Sequence, residues 1–169
     1  MTRPPLRSLL PLVVCVTVAT TTPAVAAGSC DEAYQAGIKS LQTPHHVYST
    51  TTMPGGKTRA SEAIYAGGVE YLKIGNKWQR SRMKPQDMIE LAQEKMKTHP
   101  DTCTRIGDQT AGGQAVAVYK VHSNEMGTDQ VVSVFKSSGL IQGTTVSLPN
   151  QSMVIRYDYA NVQAPAGVK

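Results

Sequence analysis

The 169-residue sequence holds 17 Lys+Arg against 12 Asp+Glu, a formal charge of +5, with 17% charged and 40% hydrophobic residues. That length allows one ordinary domain, and so modest a charged fraction excludes a disordered polyelectrolyte. Fourteen glycines without a repeating triplet exclude a collagen-like chain.

In chain order, Arg3 and Arg7 precede an apolar stretch over residues 9–19, and small residues follow up to Ala27. A basic start, a brief apolar core and a small-x-small ending predict a secretory signal peptide over residues 1–27, cleaved near Ala27. Pro11 interrupts the apolar stretch, which is short for a membrane span. Cleavage leaves residues 28–169 as a single exported domain, removes Cys15, and lowers the formal charge to +3. Three cysteines then become one pair, Cys30 and Cys103. In an oxidising compartment these are expected to form a disulfide. It would close a loop of about 74 residues, worth about 4 kcal/mol in the chain-entropy account. A competing use stays open, because Cys30 lies soon after the apolar segment, where bacterial lipoproteins carry their acylated cysteine.

Residues 31–41 place Tyr34, Ile38 and Leu41 at helical spacing, and Thr43-Pro44 ends the helix. A β pattern follows over 46–53, 58–66, 69–74 and 78–83, punctuated by Pro54-Gly55-Gly56, Gly67-Gly68 and Gly75-Asn76. A longer helix begins at Pro85 and ends before Pro100. Asp87 and Glu90 lie early and Lys95 and Lys97 late, as the helix dipole prefers. Its apolar face is read as Met88, Leu91, Ala92, Lys95 and Met96. Strands are expected again over 103–110, 115–123, 130–136, 140–148 and 153–161. The last of these sets Met153, Ile155, Tyr157 and Tyr159 against Arg156 and Asp158 on the opposite face. Residues 163–169 read as a frayed tail. The pattern predicts an α+β fold in which a strongly curved antiparallel sheet packs on two helices. Aromatics are scarce, so Val, Met and Ala are expected to fill the interior.

Chemistry-bearing patterns are sparse. His45 and His46 would point to opposite faces of a strand, and His99 and His122 stand alone. No His/Cys cluster has metal-ligand spacing, and no G-x-S-x-G elbow is present. The six methionines after residue 27 lack a close M-x-M motif for copper. No catalytic residue, metal or cofactor is assigned, and the chain reads as a non-enzyme. One charge asymmetry stands out: Lys73, Lys77, Arg80 and Arg82 surround Trp78 with no acidic residue among them. This hairpin is a candidate contact for an anionic membrane surface or an acidic envelope protein. Nucleic acid is excluded as a partner by export and a formal charge of only +3.

The order of helix, the run Gly67-Gly68-Val69-Glu70-Tyr71-Leu72-Lys73, then Gly75-Asn76-Lys77-Trp78, helix, meander and the closing Ile155-Arg156-Tyr157-Asp158-Tyr159-Ala160-Asn161-Val162 resembles a known pattern. It is that of bacterial exported proteins of the outer-membrane lipoprotein-sorting type, the Lol carriers and receptors. The resemblance implies an incomplete β-barrel closed by helices around a hydrophobic cavity for acyl chains. It further implies a periplasmic or secreted module that binds a lipid, an acyl chain or another hydrophobic ligand. The alternative is an envelope interaction or structural module with a self-filled core, in one variant acylated at Cys30. An enzyme of unrecognised type is the third reading.

Overall fold

The computed structural model describes residues 30–168, so the signal-peptide assignment and the cleavage position lie outside the described residues. Helix α1 (Asp31–Gln42) opens on two acidic residues and closes on Lys39, matching its dipole. It stops where Thr43, preceding Pro44, takes an extended conformation (φ −102°, ψ 133°). Strands β1 (His45–Thr52), β2 (Thr58–Ala66), β3 (Val69–Ile74) and β4 (Lys77–Arg80) follow as successive hairpins. Gly67 and Gly68, at φ 60° and 72°, form the two-residue turn between β2 and β3. Both positions there demand the left-handed region, which glycine enters without a Cβ penalty.

Helix α2 (Pro85–Thr98) has proline in its first turn, and the Lys84 backbone N–H donates to Asp87 Oδ2 at 3.0 Å. It ends at His99, before Pro100. Strands β5 (Thr102–Ala111), β6 (Gln114–Ser123), β7 (Thr128–Phe135), β8 (Ile141–Leu148) and β9 (Gln151–Asp158) make a second meander. All nine strands belong to one antiparallel sheet, ordered β4-β3-β2-β1-β9-β8-β7-β6-β5. Two hairpin ladders therefore meet at a central seam between β1 and β9. The sheet does not close: β4 and β5 are its free edges, and α2 is the connection that leads from one to the other. This is the curved antiparallel sheet with two helices that the sequence predicts.

Both helices lie over one face. Strand alternation directs Cys103, Ala117, Tyr119, Val121, Val132, Val134 and Ile141 to that face, where they pack with Ala36 of α1 as the core. Ser40 Oγ accepts from the Ile141 backbone N–H at 3.0 Å, and Tyr159 donates to the Ile141 carbonyl at 2.7 Å. These bonds fix the end of α1 to the start of β8.

Four details differ from the sequence reading. Strand β4 ends at Arg80 and not at residue 83, because the chain bends toward α2. Strand β9 ends at Asp158, three residues short of Asn161. On α2 the buried side chain is Ile89, while Leu91 is 60% exposed, so the packed stripe is rotated by part of a turn. Methionine is not a principal core residue: Met53, Met83 and Met126 are exposed, and Val, Ala, Tyr and Ile supply the core.

Candidate functional site: the groove between sheet and helices

Two adjoining pockets run between the sheet face and the helices. The first, of about 360 Å³, lies between α1, α2 and the central strands and takes in Ile38, Leu41, Val47, Met88 and Ala92. The second, of about 260 Å³, runs on under α1 toward Val121, Val132 and Val146. Ala33, Tyr34, Ile141, Ile155 and Tyr157 wall both. The walls are mainly aliphatic, with a few polar groups at fixed points, as expected of a site for an apolar ligand.

One polar point is Asp101, whose side chain is only 4% exposed. It accepts from the Tyr34 hydroxyl at 2.8 Å and pairs with Lys95 at 3.2 Å, and Lys95 also donates to Ser123 Oγ at 3.2 Å. Burial and the Asp101 carboxylate together push the Tyr34 hydroxyl up to about 12, so it stays a donor. The network joins α1, α2, the residue just before β5, and β6 beside the second pocket. Spacing puts Tyr34 and Lys95 on the inward faces of their helices but does not bring either to Asp101; their convergence is tertiary.

The other polar point is His45, 1% exposed and stacked on Tyr65 with ring centroids 4.3 Å apart. Its Nδ1 lies 2.7 Å from the Thr43 carbonyl, which only a protonated ring nitrogen can satisfy by donating. Desolvation holds the imidazole below its ordinary pKa, so it is neutral. Tyr65 in turn donates to Glu70 at 2.6 Å. His46 points to the opposite face, stacked on Tyr48 at 4.0 Å and 3.3 Å from Glu62. The adjacent histidines are thus split between faces, as alternation requires. Among the described residues no group of three or more His, Cys, Asp or Glu is arranged to hold a metal ion.

Cys30 and Cys103 are bonded, with their Cα atoms 5.2 Å apart, tying the start of α1 to β5. The basic hairpin residues are only partly gathered. Lys73 and Trp78 are opposed in register, and the Lys73 ammonium lies 5.7 Å from the Trp78 ring while pairing with Glu62 at 2.7 Å. Arg80, opposite Tyr71, shares that convex face. Lys77, opposite Ile74, belongs to the concave face, and Arg82 lies beyond the strand. No described helix is long and apolar enough to cross a membrane.

No protein-family model matches the chain, and no curated protein matches it. Solved structures do. The chain is similar to the Mycobacterium tuberculosis lipoprotein LppX, with a TM-score of 0.50 and 11% identity over 80% of this chain and 97% of that one. It is also similar to LprF from Mycobacterium bovis (TM-score 0.45, 12% identity, 82% and 98% covered). A LolA superfamily protein from Nitrosomonas europaea matches at a TM-score of 0.34 and 7% identity, with 82% and 96% covered. The LppX likeness, together with the strand order, shows the fold: an open antiparallel sheet with two helices on one face, like that of LppX. At such identities the likeness extends to fold alone.

Proposed function

We propose that this protein is a non-enzymatic carrier or binding module of the bacterial envelope that holds a lipid, acyl chain or comparable hydrophobic ligand in the groove. The observation that carries this reading is the pair of adjoining apolar pockets sharing Ala33, Tyr34, Ile141, Ile155 and Tyr157. A self-filled structural module would leave no such space beneath its helices. The fold likeness supports the same reading, and the Cys30–Cys103 bond suits a periplasmic or secreted protein released by cleavage near Ala27.

Native mass spectrometry of protein purified from its own envelope, followed by lipid extraction, tests this directly. A co-purifying lipid and uptake of a fluorescent fatty acid are expected. Across a series of fatty acids, affinity should rise about fourfold per added methylene until the groove is full, since each buried CH₂ contributes about 0.8 kcal/mol. Val146→Trp, which narrows only the second pocket, and Ala92→Trp, which narrows only the first, should each shorten the preferred chain. No co-purifying ligand together with no uptake would refute the carrier reading.

A further inference from the structure

Charge is distributed unevenly over the sheet. Residues 54–84 contain seven lysines and arginines but only two glutamates, a local charge of +5, while residues 28–169 as a whole carry +3. The remainder of the domain is therefore net acidic. Of the two glutamates, Glu70 is buried and hydrogen-bonded to Tyr65, and Glu62 is engaged by Lys73 and His46. Lys57, Arg59, Lys77, Arg80 and Arg82 are exposed and make no ion pair among the described residues. They run along the free β4 edge and the neighbouring end of the β1–β2 hairpin.

Exposed apolar side chains interleave with these cations. Ile74 is 58% exposed, Met83 47%, and Leu72 37%. Leu72 is in register with Ala63, which is in register with Val47, and Val47 lines the groove. The concave face thus continues from the groove as Val47, Ala63 and Leu72, with Ile74 beside it, until it reaches the charged edge.

We propose that the β3–β4 edge docks on an anionic phospholipid bilayer, with Lys77, Arg80 and Arg82 at the headgroups and Ile74 and Met83 at the acyl boundary. Charge complementarity between these cations and an anionic headgroup layer supplies the attraction. The exposed apolar side chains favour a bilayer over a purely acidic polypeptide, since the acyl boundary beneath anionic headgroups can bury them. Docking in this orientation sets the outer end of the groove against the membrane. The docking surface does not depend on the groove holding a ligand, so each can fail without the other.

The molecule carries its own reporter, because Trp78 on β4 is the one tryptophan in the sequence. The exported domain is mixed with vesicles of phosphatidylcholine containing phosphatidylglycerol, and with vesicles of phosphatidylcholine alone. Flotation with the anionic vesicles only is expected, with a blue shift of tryptophan emission and release at high salt. Arg80→Glu/Arg82→Glu should weaken binding at least about tenfold, and Ile74→Glu should abolish the emission shift. Lys97→Glu/Arg156→Glu, away from the edge, should leave binding close to the parent. Circular dichroism on every variant keeps loss of fold separate from loss of docking. Equal binding to neutral vesicles, or unchanged binding by the Arg80/Arg82 variant, would overturn the proposal. So would retention on an acidic polypeptide with no vesicle binding. Fatty-acid uptake in the same samples reads the groove separately.

Discussion

A buried neutral imidazole makes folding sensitive to pH in a range where carboxylates are still ionised. His45 has its pKa lowered from 6.5, chiefly by desolvation, against weaker opposing contributions from the Thr43 and Ser40 carbonyls and Glu70. Below pH 6.5 the unfolded chain takes up a proton that the folded state resists, so stability falls as pH falls. The carboxylates of Glu62, Asp108 and Asp129 are held below their ordinary values by neighbouring cations and His46 or His122. Their contribution is lost only at lower pH, leaving the interval from about 6.5 to 5 for the histidine. Urea midpoints taken across that interval should decline with acidification in the parent. His45→Gln should be less stable at pH 7 and show a shallower decline; an equal slope would assign the effect to another group. Alternation alone places His45 and His46 on opposite faces. Which of the two is buried depends on which face of the sheet the helices cover, and no local pattern encodes that.

Close approach of strands sets a different constraint in β8. Gly143 has no positive φ, yet a Cβ built there would stand 2.9 Å from the Ile155 carbonyl oxygen of β9. Gly143→Ala should therefore destabilise by about 1–3 kcal/mol through forced backbone displacement, read as a lowered urea midpoint. The same alanine at Gly37, whose Cβ would meet only Ile141 Cδ1 at 3.9 Å, should be neutral or slightly stabilising in its helix. Elements of this kind were legible wherever their signals are local. Pro44, Pro85 and Pro100 bound the helices, and Gly67-Gly68, Gly75-Asn76 and Gly112-Gly113 bound the hairpins. Which residue of α2 turns inward was not legible, because Ile89 and Leu91 are both apolar and α1 decides between them. The groove was legible only as an expected space between sheet and helices. Its Tyr34–Asp101–Lys95 network joins residues separated by 67 positions at its longest link, beyond the reach of spacing rules.

At the scale of the molecule, the disulfide and the seam hold the halves together. Cys30–Cys103 spans 73 positions, and its loss should cost about 4 kcal/mol if constraint of the unfolded chain dominates. Cys30→Ser/Cys103→Ser, compared with the parent under oxidising and reducing conditions, measures this. Reduction should lower the parent to the level of the variant and leave the variant unchanged. The seam has a kinetic meaning as well. Its pairs run from Thr52↔Ser152 to His46↔Asp158, separations of 100 to 112 residues, whereas every other pair of neighbouring strands is consecutive in the chain. Each ladder can zip locally, but closing the seam carries the largest loop entropy in the sheet. Until residues 151–158 are present, β1 keeps an unpaired edge and the sheet remains in two pieces. A nascent chain of this design cannot join its two ladders until its final strand emerges, so the last eight strand residues decide when the sheet becomes one piece.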